Sequence, residues 1–167
     1  IDGLAADHVN KLAEGRAGVP LSNPKMGWFE QDVADWTGSV ATALKQLTKK
    51  ISKDRIAAVS ISNQRESFAQ FDAAGRALRP GTLWLDERAH REVDEIVAEL
   101  GRDRIHKLSG KPPDVTPCLY RCRWLSTHMP KIWSKTAKTA EVHGVLTHFL
   151  TGQWATSTAS ADPMGLL

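Results

Sequence analysis

The chain of 167 residues is 41% hydrophobic and 25% charged, so it can form a globular core, and its length suits one domain or part of one. A formal net charge of +3 with dispersed lysines does not favour a nucleic-acid-binding protein, and no apolar run approaches membrane-spanning length. The two cysteines cannot form the disulfide framework of a secreted domain, so we expect a reducing, cytoplasmic compartment.

The first elements are predicted to be a short strand, two loops and a long helix. Residues 1–20 hold the strand and a loop interrupted by glycine and proline, and residues 23–28 form the second loop. The helix is predicted over 32–51, because apolar residues recur there at spacings of four, three and four. These residues are Val40, Leu44, Leu47 and Ile51.

Three strands are predicted to follow this helix. Residues 56–62 are rich in small and β-branched side chains, and residues 67–71 and 82–85 also read as strands. The last two strands are joined through a turn at Asp72-Ala-Ala-Gly75, a composition typical of tight turns.

Helices dominate the prediction for the second half of the chain. Asp86 is expected to cap a helix that ends at Gly101 and buries a stripe formed by Val93, Ile96, Val97 and Leu100. A helical turn at 105–108 and a proline-containing loop at 111–114 follow. Two helices at 117–127 and 142–150 and a short strand at 153–157 complete the prediction.

Polar side chains and an indole are expected at neighbouring strand ends. Arg65 and Glu66 lie between the predicted strands at 56–62 and 67–71, and Trp84 lies near the end of the next strand, followed by Asp86 and Arg88. A guanidinium donates hydrogen bonds to hydroxyl groups, a carboxylate accepts them, and an indole packs on C–H faces. This combination indicates a polyhydroxylated ligand.

Six short segments, taken in order and spacing, carry more information than any of them alone. They are Gly27-Trp-Phe-Glu-Gln-Asp32 with Asp35-Trp36, Asn63-Gln-Arg-Glu66, Asp72-Ala-Ala-Gly-Arg-Ala-Leu-Arg-Pro80 with Leu83-Trp-Leu-Asp-Glu-Arg88, Leu108-Ser-Gly110, Leu150-Thr-Gly152, and Thr158-Ala-Ser160 with Gly165-Leu-Leu167. Together they resemble the N-terminal domain of the FGGY family of carbohydrate kinases, and the resemblance covers nearly the whole chain. The Asn-Gln-Arg-Glu form is typical of the family's glycerol kinases.

The resemblance implies both a fold and an activity. The fold is α/β, with the ribonuclease-H-like core of the actin and hexokinase superfamily and a mixed sheet flanked by helices. The activity is transfer of the ATP γ-phosphate, with Mg²⁺, to a sugar or polyol hydroxyl, as in glycerol kinases and xylulokinases. By motif position, Arg65, Glu66 and Trp84 bind the substrate. Residues 1–167 then form part of a substrate-side domain, and the catalytic Asp and ATP-binding domain lie outside the chain.

The sequence departs from the family pattern in four places. Thr116 stands where glycerol kinases carry a substrate-contacting Tyr, so it is a fourth candidate binding residue and leaves room for a larger polyol. Arg121 replaces a usual Lys, and Gly144 replaces an Asp. The "DxGT" phosphate loop is absent, and Ile1-Asp2 is either its edge or part of a turn. We therefore expect a chain truncated at both ends and inactive alone.

Simpler interpretations of the candidate residues remain open. Arg65 and Glu66 are adjacent, and such pairs commonly lie on a solvated surface. Trp84 taken alone is more often a packing residue than a ligand contact. Asp86 is best interpreted as a helix cap.

Neither a metal site nor a nucleic-acid or membrane partner is expected. Cys118 and Cys122 share a helix face, but two thiols without a nearby His do not complete a zinc site, so they are predicted to be buried. The expected partner is a small-molecule sugar or polyol, with no nucleic acid and no membrane; a homodimer is an open possibility. A non-catalytic sugar-binding or regulatory domain of the same fold is the alternative function.

Overall fold

The computed structural model describes residues 10–166, so the strand predicted near the start and the assignment of Ile1-Asp2 lie outside the described residues. Within that range the chain forms four strands, seven α-helices and two short 3₁₀ turns. The elements are β1 (Glu30–Gln31), α1 (Val33–Thr48), β2 (Phe68–Phe71), β3 (Gly81–Thr82), α2 (His90–Leu100), α3 (Arg102–Ser109), α4 (Cys118–His128), α5 (Pro130–Trp133), β4 (Lys138–Glu141), α6 (Val142–Thr151) and α7 (Thr158–Ala161).

The four strands form one sheet in the order β1-β3-β2-β4, and each of these pairings is antiparallel. Strand β2 is central, and all of its residues are buried. Phe68 lies opposite Thr82 of β3 on one side and Glu141 of β4 on the other. The start of β2 and the end of β3 therefore meet at the same edge of the sheet.

Two apolar clusters hold the helices in place. The first joins α1 and α6 to the sheet through Trp36, Phe71 and Val145. The second joins α2, α3 and α4, with Tyr120 and Trp124 at its centre. The sheet edge that carries the candidate residues is thus backed by packed side chains on rigid elements.

Residues recognisable in the sequence mark three of the helix ends. Asp32 caps α1, because its carboxylate accepts a hydrogen bond from the Ala34 N–H at 2.8 Å. Gly110 and Gly152 follow α3 and α6 in the left-handed conformation that glycine adopts without strain. The helices predicted over 32–51, 86–101, 105–108, 117–127 and 142–150 are confirmed, with shifts at their ends.

Two strand predictions are wrong. Residues 56–62 form no regular element, because no strand among residues 10–166 pairs with them, and strand propensity alone does not hold a lone strand. Residues 153–157 also form a loop. On the side of β2 that does not face β3, the pairing strand is β4, which the sequence did not predict. Within the loop at 153–157, Trp154 packs on Phe71 with 4.8 Å between ring centroids.

The predictions around Trp84 also need correction. The strand expected over 82–85 ends at Thr82, because the Asp86 N–H donates to the Leu83 carbonyl at 3.0 Å and closes a turn. Asp86 does not cap the next helix. That helix begins at His90, and its cap position, Ala89, provides no side-chain hydrogen bond. The carboxylate of Asp86 instead accepts from the Phe29 N–H at 2.7 Å, which joins the turn to β1.

Candidate substrate-binding site

The structure brings the predicted polar pair and the indole to one edge of the sheet. Glu66 lies two residues before Phe68 and Trp84 two residues after Thr82, and Phe68 and Thr82 are opposite each other in β2 and β3. The Trp84 N–H donates to Ser67 Oγ at 3.0 Å, which joins the two strand ends directly. The expectation that Arg65, Glu66 and Trp84 lie at neighbouring strand ends agrees with this placement.

The Glu66 backbone has an unusual conformation. Its φ of 58° makes it the one non-glycine residue with positive φ among residues 10–166. A non-glycine residue in this region is held there by surrounding interactions and stores about 1–3 kcal/mol of strain, a feature that is frequent at functional sites. Strain at Glu66 therefore directs attention to this turn independently of any sequence motif.

The polar side chains of this turn are available to a ligand. Arg65 is exposed and Glu66 is half-buried, and neither side chain has a hydrogen-bond or ion-pair partner within the described range. The indole of Trp84 is 45% exposed, although large aromatic residues in this protein are otherwise mostly packed. A donor, an acceptor and an apolar face thus lie at the same edge of the sheet, a combination that suits a polyhydroxylated molecule.

A buried guanidinium connects the chain segments that carry the candidate residues. Arg121 on α4 is 2% exposed and donates to the carbonyl oxygens of Glu66 (2.7 Å), Leu83 and Thr116. Leu83 directly precedes Trp84, and Thr116 lies in the loop before α4, so the guanidinium links the segments of all three acceptors. Burial lowers the pKa of this guanidinium, because desolvation disfavours its charged form.

The signal for this buried role of Arg121 in the sequence is weak. In the sequence Arg121 is a departure from the family pattern, whereas the structure places it between the buried residues Tyr120 and Cys122. A charged residue flanked by buried positions on a helix is the signal that could have identified it, since such charges are rarely buried without hydrogen-bonded partners.

The fourth candidate, Thr116, lies in the loop that leads into α4 and is half-buried. Its carbonyl accepts from the same Arg121 guanidinium that holds the Glu66 carbonyl. The structure therefore brings Thr116 to the same region as Glu66 and Trp84.

A buried network of ions supports the Trp84 turn from the other side. Glu30 on β1 accepts from both Arg79 and Arg88, the latter at 2.8 Å. Arg88 also pairs with Asp86 at 2.7 Å, and both of these side chains are at most 1% exposed. The Trp28 ring covers the Arg88 guanidinium at 3.9 Å. Asp86 and Arg88 thus stabilise the turn internally and do not face a ligand.

The thiols of α4 do not contribute chemistry to the site. Cys118 and Cys122 are buried and unpaired, as predicted. Burial raises the pKa of both thiols, so neither is a reactive thiolate near neutral pH. Within residues 10–166, no group of three or more His, Cys, Asp or Glu residues is placed to hold a metal ion.

The prominent cavities lie elsewhere on the surface. A groove of about 680 Å³ between α1 and α6 is lined by Asn63 and Gln64 of the polar segment, and a smaller cavity of about 320 Å³ lies beside β4. Neither is lined by Arg65, Glu66, Trp84 or Thr116. The candidate residues therefore lie outside both of these cavities. No helix in the described part of the chain is both long and apolar enough to span a membrane.

Comparison with known proteins identifies the family. The family model described as "FGGY family of carbohydrate kinases, N-terminal domain" matches residues 5–167. The chain belongs to the FGGY family of carbohydrate kinases. The expected α/β fold and the resemblance of the six segments are thereby confirmed.

Individual relatives of this FGGY domain include kinases with different acceptors. A glycerol kinase of Thermococcus gammatolerans is 30% identical over 161 residues, which cover 92% of this chain and 32% of that protein. A xylulose kinase of Lactococcus lactis is 27% identical over 164 residues, covering 96% of this chain and 32% of that protein. The chain thus spans about a third of the length of the curated relatives it matches.

Solved structures support the fold of the FGGY domain. A xyloylose kinase from Brucella ovis superposes with a TM-score of 0.84 at 26% identity, over 93% of this chain and 31% of that one. A glycerol kinase from Plasmodium falciparum, solved with ADP, has a TM-score of 0.75 at 26% identity, over 90% of this chain and 32% of that one. The fold is therefore shared by kinases named for glycerol and for xylulose.

Proposed function

We propose that this chain is the acceptor-binding part of an ATP-dependent kinase that phosphorylates a sugar or polyol hydroxyl. The observation that carries the proposal is the meeting of Glu66, in a strained left-handed conformation, with Trp84 at the joined ends of β2 and β3. Membership of the FGGY family and relatives named glycerol kinase and xylulose kinase support it. A cytoplasmic location is part of the proposal, since ATP is available there and both cysteines are free thiols.

Each residue of the site has a distinct role in this proposal. Glu66 accepts hydrogen bonds from acceptor hydroxyls, and Arg65 donates to hydroxyl oxygens. Trp84 packs against the C–H face of the carbon chain and excludes water from it. Thr116 limits the length of ligand that fits on its side of the site. Fixing the acceptor in this way lowers the entropic part of the barrier to phosphoryl transfer.

The sequence contains no phosphate loop of the family's type for the cofactor Mg-ATP. Residues 10–166 contain no acidic cluster for a metal ion, and the "DxGT" phosphate loop is absent from the sequence. A domain that binds the acceptor requires a nucleotide site and a general base from another part of the enzyme, as the family resemblance implies. This chain alone is therefore expected to bind an acceptor without phosphorylating it.

The test is a panel of three- to six-carbon polyols and ketoses with the full-length enzyme, read by coupled ADP release. The expected result is acceptor-dependent ADP formation with at least one compound, and none with the 167-residue chain alone. Binding of a sugar to the full-length protein without any ADP formation would instead favour the non-catalytic sugar-binding or regulatory domain. Phosphorylation by the chain alone would show that a phosphate site exists within it.

The acceptor is predicted to be longer than glycerol, because Thr116 stands where a larger Tyr is expected in glycerol kinases. A three-carbon ligand would leave a gap beside Thr116 and lose contact with Trp84, whereas a four- or five-carbon chain would fill it. Thr116→Tyr should therefore shift the ratio of kcat/KM values for glycerol and five-carbon acceptors toward glycerol. The matched control is Thr127→Tyr, at an exposed position on α4. A wild-type preference for glycerol would show that Thr116 does not occupy the Tyr position.

A further inference from the structure

The hydrogen bonds of Arg121 join three separate segments of the chain. Its Nη1 donates to the Leu83 carbonyl, and its Nη2 donates to the carbonyls of Glu66 and Thr116. These acceptors are 38, 55 and 5 residues away in the sequence. None of the ion pairs within the described range includes Arg121, so carbonyl oxygens compensate its charge. The guanidinium is therefore a single anchor for the segments that carry Glu66, Trp84 and Thr116.

The strained backbone of Glu66 needs such a fixed point. A residue with positive φ relaxes unless neighbouring groups hold its peptide units. The Glu66 carbonyl receives a 2.7 Å hydrogen bond from Arg121, and Cys118 Sγ lies 3.4 Å from the same oxygen. Both donors lie on α4, a helix whose inner face is packed in the core. The direction of the Glu66 side chain is therefore set by α4.

A guanidinium can reach the three carbonyls of this site more readily than the ammonium of a lysine. Its five N–H donors have a fixed planar geometry, so one group can reach carbonyls that lie in different directions. A lysine ammonium presents three donors from a single point at the end of a flexible chain. The face of Phe68 lies 5.4 Å from the guanidinium and further restricts its orientation.

We propose that Arg121 is a positioning residue that orients Glu66, Trp84 and Thr116 toward the acceptor. This inference rests on the proposed function, because it assigns Arg121 a role in binding the acceptor and not ATP. Arg121 does not touch the ligand; it acts through the three carbonyl groups. Loss of the Arg121 guanidinium is expected to disorder the segments of Glu66, Trp84 and Thr116 together, while the second apolar cluster keeps α4 in place.

The experiment compares Arg121→Met and Arg121→Lys with the control Arg123→Met in the full-length enzyme. Arg123 lies on the same helix but is exposed. We expect Arg121→Met to raise the KM for the acceptor by about tenfold or more, the effect of losing one charge-assisted hydrogen bond, and to leave the KM for ATP within about twofold. Arg121→Lys should give an intermediate acceptor KM, and Arg123→Met should match the wild type.

Hydrogen exchange of the same variants provides a readout without catalysis. Amide hydrogens in residues 64–68 and 83–86 should exchange faster in both Arg121 variants than in the wild type. Their exchange rates in Arg123→Met should equal those of the wild type. If Arg121→Met does not fold, Arg121→Lys decides both measurements. An acceptor KM within about twofold of wild type in a folded Arg121 variant, or an equal rise in the KM for ATP, overturns the proposal. If the wild type phosphorylates no sugar or polyol, the proposed function fails, and unchanged exchange then overturns the positioning role separately.

Discussion

Glu66→Gln in the full-length enzyme is expected to lower kcat/KM for the acceptor by about 10- to 150-fold, with little change in folding. The substitution keeps the size of the side chain and the backbone requirements at φ 58°, so it removes the charge and replaces one acceptor oxygen with an amide donor. A hydrogen bond to a charged group contributes about 1.5–3 kcal/mol, which corresponds to this range. Arg65→Ala should have an effect of similar size, because the guanidinium is the matching donor.

The measurement is the steady-state rate with the preferred acceptor, alongside the thermal midpoint of each variant. Glu99→Gln serves as the control, because Glu99 is exposed at the end of α2 and far from the strand ends in sequence. The control should retain wild-type kcat/KM. Wild-type kcat/KM for both Glu66→Gln and Arg65→Ala with the true acceptor would remove these residues from the site.

The sequence predicted those parts of the fold that depend on local patterns. The apolar periodicity from Val40 to Ile51 identified α1, and glycines identified the ends of α3 and α6. The prediction of a strand over 56–62 is wrong because strand pairing depends on distant residues that a local window does not contain. Strand β4 was missed for the same reason, since its Lys-Thr-Ala-Glu sequence has no strong strand pattern of its own.

The candidate site shows a similar division. The positions of Glu66 and Trp84 at neighbouring strand ends followed from motif order and from the predicted turn at 72–75. The prediction that Asp86 caps a helix is wrong, because a local pattern indicates a helix cap and contains no sign of the Phe29 N–H, which lies 57 residues away. The partners of Arg121 could not be predicted, since they are backbone carbonyls, and every residue has one. Contacts of side chains with distant backbone leave no residue-type signature in the sequence.

Glu30→Ala is expected to destabilise the protein by about 3–5 kcal/mol, because it removes one partner from a buried ion network. Glu30 and Asp86 balance the charges of Arg79 and Arg88, and all four side chains are at most 13% exposed. Without Glu30, Arg79 retains only neutral partners such as Thr82 Oγ1 at 2.7 Å. Burial already lowers the pKa of Arg79, so its charge would be left poorly compensated.

The matched control is Glu95→Ala, which breaks the exposed pair with Arg91 on α2. That change should alter the free energy of unfolding by less than about 1 kcal/mol, since solvent screens exposed pairs. Urea denaturation of both variants and the wild type provides the comparison. Equal midpoints for Glu30→Ala and Glu95→Ala would show that the network contributes no more than a surface ion pair. A large loss of unfolding free energy confined to Glu30→Ala would show that the network stabilises the turn that carries Trp84. It would also explain why Glu30, Arg79 and Arg88 lie within the family's segments although none of them faces the acceptor.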